Sequence, residues 1–170
     1  KMGTTLPRPL PTMVIHGPVT EISRLYNSVT NEYLGVANGI VQLPKAKWAV
    51  YGYGLWHHIL SSQKRKQIMD VIDTIAEHKM PAILQDAEQV TIIPRTTPDG
   101  KAAMISVLNI SIAPTDALHL LVRNPDGEKF TYENGDFSVE LTPVKTEEGY
   151  LLELPGFVRG WDLATVFISK

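Results

Sequence analysis

The sequence predicts an α+β protein, with a small α/β unit over residues 1–84 and an antiparallel β-sandwich of about seven strands over residues 85–170. Three observations lead there. The clear helical periodicity lies before residue 85, over residues 62–78. Beyond it, short apolar runs recur about every ten residues with Asx-Gly turns between them. The charge also changes sign: residues 1–85 carry nine Lys/Arg against five Asp/Glu, residues 86–170 seven against thirteen. A shift of composition and of local pattern at one place marks two units with different surfaces.

From the N-terminus, Leu6-Pro7-Arg8-Pro9-Leu10-Pro11 reads as an extended, polyproline-like arm, because proline fixes φ and lacks the helical donor. Met13 to His16 reads as a strand. Glu21 to Tyr33 reads as a helix carried by Ile22, Leu25, Tyr26 and Val29, and Gly35, Gly39 and Pro44 interrupt the stretch beyond it. Lys47 to Tyr51 is a short β-favouring run bounded by Pro44 and Gly52. From Ser62 to His78 the spacing of Ile68, Met69, Val71, Ile72, Ile75 and Ala76 gives one apolar stripe. That leaves Asp70, Asp73 and Glu77 for the solvent face; Ser61 or Ser62 is the N-cap and Pro81 the stop.

Seven strands are expected beyond residue 85. They are Gln89 to Ile93, Ala103 to Ile110, Leu118 to Val122, Lys129 to Tyr132, Phe137 to Leu141, Tyr150 to Leu154 and Leu163 to Ile168. Asp99-Gly100, Asp126-Gly127, Asn134-Gly135 and Glu148-Gly149 supply turns between them.

Composition bounds the function. The chain has 170 residues, 44% of them apolar, a formal charge of −2 and no cysteine. That excludes a disulfide scaffold, a thiolate-ligated metal and a cysteine nucleophile. A near-neutral balance argues against a nucleic-acid partner held by phosphate neutralisation. No run reaches the ~18 apolar residues of a membrane helix, so a soluble globular protein is expected. A start at Lys1 is what a trimmed chain would show, and the compartment is not legible.

Few residues suggest chemistry. Tyr51-Gly52-Tyr53-Gly54 lies between a strand and a helix, where α/β proteins place ligands, but it holds no phosphate-binding fingerprint. Trp56, His57 and His58 come directly after; adjacent histidines serve as acid/base groups or ligands, although zinc needs three or four ligands at recognisable spacing. His119 reads as a half-buried strand residue. No Gly-x-Ser-x-Gly occurs, and the abundant carboxylates of the second half alternate with apolar residues rather than pairing. Most aromatic residues there are expected in the core, with Trp161 and Tyr150 the ones offered to a sugar ring. Asn109-Ile110-Ser111 matches a glycosylation sequon inside an expected strand.

One family resemblance stands beside this reading. Trp48-Ala49-Val50-Tyr51-Gly52-Tyr53-Gly54-Leu55-Trp56, the Ser61-Ser62-Gln63-Lys64-Arg65 start and the helix to Pro81 resemble the last strand and helix of the amidotransferase-like α/β domain of β-galactosidase-like glycoside hydrolases. The stretch from Ala103 to Asn109, Leu118 to Val122, and Leu154-Pro155-Gly156 to Ile168 resemble the small β-sandwich that succeeds it in those enzymes. The resemblance covers residues 46–170. It implies a non-catalytic accessory region of a carbohydrate-active enzyme, serving packing or assembly, with the catalytic glutamates upstream. The alternative is an independent carbohydrate-binding module. The expected partners are a second copy, an upstream catalytic domain or a glycan. No catalytic residue, cofactor, metal, membrane or nucleic-acid partner is assigned to these residues.

Overall fold

The computed structural model describes residues 16–54, 61–135, 137–156 and 158–170. The proline-rich arm, all but the last residue of the strand expected at Met13 to His16, and Trp56, His57, His58 and Phe157 lie outside the described residues. The chain divides into two compact units, Lys1–Lys64 and Arg65–Lys170. The division falls twenty residues before the one expected, because the helix and the strand after it pack with the C-terminal sheets.

In the first unit, β1 (Val19–Tyr26), β2 (Tyr33–Leu43) and β3 (Ala46–Tyr51) form an antiparallel sheet in the order β1-β2-β3. Its described residues are therefore an antiparallel meander and not an α/β unit. The helix expected over Glu21 to Tyr33 is instead β1 and a turn. Ile22, Leu25 and Tyr26 happen to fall at helical spacing, but Val19, Thr20, Ile22 and Tyr26 are strand formers. Asn27 Oδ1 accepts from the amides of Val29 at 2.9 Å and Thr30 at 3.1 Å, and Asn31 at φ 58° completes the reversal.

Gly35 and Gly39 do not break the chain; β2 runs through both. A Cβ at Gly39 would lie 2.7 Å from Val19 Cγ1 and 3.0 Å from Thr20 O, so glycine there lets β1 approach closely. Residues Val36 to Ile40 are buried in succession, which covers both faces of this middle strand.

The helix α1 (Ser62–Ile75) starts at the serine pair, and all but its first three residues belong to the second unit. The Arg65 side chain ties it down by donating Nη2 to Glu88 O at 2.9 Å. Then come β4 (Ala82–Leu84), β5 (Val90–Thr96), β6 (Ala102–Asn109), β7 (Leu118–Val122), β8 (Lys129–Glu133), β9 (Ser138–Leu141), β10 (Val144–Lys145), β11 (Tyr150–Leu154) and β12 (Leu163–Ser169). All the expected strands are present; β4 and β10 join them.

They form two antiparallel sheets, β10-β11-β7-β4 and β5-β6-β12-β8-β9. Alternation carries Leu118, Leu120, Val122, Leu152 and Leu154 from the first sheet into one cluster with Ile105, Val107, Phe130, Tyr132, Val166 and Ile168 from the second. Most of these are fully buried, so the unit is sandwich-like around a single core. Pro94 lies within β5, opposite Ile105; the missing donor is tolerated because β5 is an edge strand. Asn109 closes β6 with its side chain buried, its amide donating to Ala113 O at 2.7 Å and Val158 O at 2.9 Å, its carbonyl accepting from Ser111 N at 2.8 Å. In the folded chain the sequon asparagine is structural.

Candidate functional site

Residues on the outer face of the four-stranded sheet build a cleft of about 530 Å3. Its floor comes from register. Ile83 of β4 pairs with Leu121 of β7, Leu121 with Leu151 of β11, and Leu151 with Val144 of β10. One apolar row thus crosses the four strands. It is buried at Ile83 and open at Val144, which is 60% exposed.

One wall is an ionic cluster. Arg123 comes two residues beyond Leu121, just past the end of β7, and shares its outward face. Its backbone amide donates to Pro81 O at 2.8 Å. Its guanidinium donates to both Asp73 oxygens, at 2.7 and 3.1 Å, and to Glu148 Oε2 at 2.7 Å. Asp73 is almost wholly buried, so α1 turns this carboxylate inward rather than to the solvent face the periodicity assigns it. Burial alone would raise the Asp73 carboxyl. The hydrogen bonds and charges of Arg123 and His78 outweigh it and hold the group below the ordinary carboxylate value. For Arg123, burial opposes the charge, and the bonds to Asp73 and Glu148 overcome it, so the guanidinium is raised.

The helix end completes the wall. Glu77 and His78 stand at φ 55° and 57°, and His78 N donates to Asp73 O at 2.9 Å. This left-handed pair turns the chain back, so that His78 Nδ1 lies 2.8 Å from Asp73 Oδ2. The cleft's two threonine hydroxyls already donate to backbone: Thr74 to Asp70 O at 2.8 Å, Thr146 to Gly149 O at 3.1 Å. The arrangement fixes α1 against the sheet and leaves a cleft with an apolar floor and charged walls.

Trp161 and Tyr150, the described residues expected to carry ligand contacts, lie elsewhere. Trp161 is 69% exposed at φ 61°, its amide donating to Asn109 O at 3.1 Å at the start of β12. Its loop touches the one carrying the exposed Ile112, since a Cβ on Gly160 would fall 2.5 Å from Ile112 O. Tyr150 is half-buried. Its ring packs 5.6 Å from that of Phe130, and its hydroxyl donates to Glu128 Oε1 at 3.3 Å. Phe130 pairs with Ile168 at the far end of β12, so Tyr150 and Trp161 do not form one platform. His119 is half-buried as expected, with Nδ1 3.0 Å from Asp86 Oδ1. Tyr51 and Tyr53 pack edge to face at 5.6 Å, and Gly52 N donates to Ala37 O at 2.8 Å. Among the described residues, no group of three or more His, Asp or Glu is placed to hold a metal ion. No helix among them is long and apolar enough to cross a membrane.

The five-stranded sheet presents a second surface. On its outer face Leu163 pairs with Leu108, and Phe167 with Met104, while Ile93 sits opposite Ser106 between them. Ile93, Leu163 and Phe167 are 47%, 47% and 42% exposed. Thr131, Glu133 and Glu140 make the β8–β9 side of the same face polar. Comparison with protein-family models, with curated proteins and with solved structures finds no match.

Proposed function

We propose that this chain is a non-catalytic accessory region of a carbohydrate-active enzyme, and that its C-terminal unit serves assembly by packing the five-stranded sheet against a second copy. The observation that carries this is the apolar strip of Ile93, Met104, Leu108, Leu163 and Phe167 on that sheet's outer face. An antiparallel sheet that faces water alternates apolar inward with polar outward. The β8–β9 side obeys that rule, whereas on the β5–β6–β12 side the five apolar residues stand among Thr91, Arg95, Ser106 and Thr165 and leave more apolar surface open than a solvated face carries. The link to carbohydrate enzymes rests on the order and texture of residues 46–170. The antiparallel pairing of β3 departs from the α/β ending that the resemblance implies.

Light scattering behind size-exclusion chromatography tests the proposal. A dimer that becomes monomeric in the Ile93→Lys, Phe167→Lys variant, with its circular dichroism unchanged, supports it. A monomer at every concentration overturns the assembly role and leaves the second reading.

That second reading is a glycan-binding module, and Trp161 favours it. An indole 69% exposed offers a sugar ring an aromatic surface to stack on. Affinity electrophoresis through soluble galactan and β-glucan reads it out. Retardation that disappears in Trp161→Ala supports the module; migration unaffected by either polymer counts against it.

A further inference from the structure

We infer that Asn134-Gly135, the reversal between β8 and β9, is a site of covalent self-modification, where the asparagine amide is lost and the chain rejoins through an isoaspartyl link. The inference is independent of the assembly face and of Trp161. It rests on what the fold does to the two Asn-Gly pairs of this chain, Asn38-Gly39 and Asn134-Gly135.

In the reaction the Gly135 nitrogen attacks Cγ of Asn134. A new C–N bond closes a succinimide ring, the Cγ–Nδ2 bond breaks, and Nδ2 leaves as ammonia with the proton of the Gly135 amide. Water then opens the ring at one of its two carbonyls, giving aspartate or isoaspartate. The net change is an amide NH2 exchanged for a hydroxyl that ionises at neutral pH, and water is the sole co-reactant. Glycine is the favoured successor because a side chain there would crowd the approach of its nitrogen to Cγ.

The β8–β9 reversal leaves this approach open. Gly135 is exposed at φ 85°, and a Cβ built on it would meet nothing within 4 Å, so its peptide can rotate without a clash. Asn134 Oδ1 accepts from Phe137 N at 3.2 Å. That bond draws electrons from Cγ and meets the charge that gathers on Oδ1 during attack. Asn38-Gly39 stands in the opposite setting. Asn38 is 1% exposed with Oδ1 held by the Ser23 hydroxyl, and Gly39 is paired with Glu21 on one side and Val50 on the other. Extended backbone fixed between two strands keeps the Gly39 nitrogen from closing on Cγ.

In the isoaspartyl product the main chain runs through Cβ and Cγ, so it lengthens by one atom and the Phe137 amide loses its side-chain acceptor. The former main-chain carbonyl of residue 134 becomes a carboxylate beside Glu133. β9 is a border strand whose ladder runs along β8, from Phe130 opposite Leu141 to Glu133 opposite Ser138, so the altered reversal loosens β9 first.

The test incubates the full chain at neutral pH, folded and in guanidinium chloride, and follows tryptic peptides by mass spectrometry. The peptide of residues 130–145 holds Asn134 as its single amide side chain, and Asn38 lies in the peptide of residues 25–45. In denaturant the two pairs should react at similar rates, being the same dipeptide. In the folded chain Asn134 should stay within about tenfold of that rate and Asn38 fall more than about tenfold below it. The 130–145 peptide should gain one mass unit and split into two isomers, one of them a substrate for isoaspartyl methyltransferase; Asn134→Ser should show neither. Purified by its added charge and kept folded, the isoaspartyl chain should exchange the amide hydrogens of β9 about fivefold faster than the unmodified chain, the worth of one hydrogen bond. Asn134 as slow as Asn38 in the folded chain would overturn the site. A mass gain without the isoaspartyl isomer would overturn the rejoined link, and unchanged exchange in β9 its structural effect.

Discussion

Replacing Arg123 by methionine should be among the most damaging single changes in the C-terminal unit. The stem volume is kept and the charge is lost, so the effect isolates the ionic cluster. Arg123 is 11% exposed and Asp73 6%, so water does little to compensate either charge. Removing one member of a buried pair typically costs about 3–5 kcal/mol, because the other is left buried and unpaired. His78 still bonds Asp73 in the variant, so the lower figure applies: about 3 kcal/mol, or roughly a hundredfold in the unfolding constant.

The pH dependence carries the sharper test. In the native chain the depressed Asp73 pKa contributes stability that is present above the ordinary carboxylate value, about 3.9. It is lost as pH falls through the depressed value. In the variant the guanidinium is gone, Glu148 remains nearby as a like charge, and only His78 opposes burial. The carboxyl then moves upward, and its penalty is present at neutral pH and relieved on acidification. The difference between the two proteins should therefore be widest at pH 7 and shrink toward pH 4. Urea titrations monitored at the methyl groups of Leu120 and Val166 report on this unit alone. Adding Asp73→Asn to the variant should recover part of the loss, giving a coupling of about 1–3 kcal/mol. A loss below 1 kcal/mol at pH 7, a gap unchanged at pH 4, or additive single effects would refute the account.

Asn109→Ala should cost about 1–3 kcal/mol, because it strands the buried Val158 carbonyl and removes the partners of Ala113 O and Ser111 N; a thermal melt lowered by less than 2 °C would contradict it. Gly149→Ala should cost about 1–3 kcal/mol, since Gly149 sits at φ 148° and an added Cβ would meet Val122 O at 2.2 Å. Chemical denaturation checks this, and a change under 0.5 kcal/mol would show that the turn simply shifts. Glu77→Gly should raise stability by about 0.5–1 kcal/mol by relieving the left-handed backbone at φ 55°. A lowered melting temperature would show that the turn carries no such strain.

Where one physical signal dominates, the elements are legible in the sequence. Leu118 to Val122 and Tyr150 to Leu154 form strands with the boundaries read from their turns, and α1 begins at the expected serine pair. Competing signals hide others. In β1 the register shifts between Glu21 and Ser23, and again beyond, spoil the period of two, leaving a false helical spacing in view. In β2 glycine reads as a break because a close approach by another strand is not written in local sequence. β4 has three residues and β10 two, too few to show a period.

The site is less legible than the fold. Asp73 and Arg123 are fifty residues apart, and each looks like an ordinary surface charge until β7 and α1 are brought together. His78 reads as a cation suited to a helix end, and its place beside Asp73 depends on two consecutive left-handed residues that no pattern announces. A charged residue adjoining an apolar stripe, as Asp73 adjoins Ile72, is the available hint.

The borders of the two C-terminal sheets set the manner in which this unit can associate. The four-stranded sheet ends in Ala82–Leu84 on one side and Val144–Lys145 on the other. The five-stranded sheet ends in β5, where Pro94 withholds a donor, and in the four-residue β9 with its exposed Glu140. Such margins offer too few free amides and carbonyls to template another strand. Strand addition is disfavoured at these borders, so the proposed pairing with a second copy would go through a sheet face. A face used once in such a two-fold pair would be consumed, so the proposed assembly would stop at a closed oligomer instead of running on into a fibre.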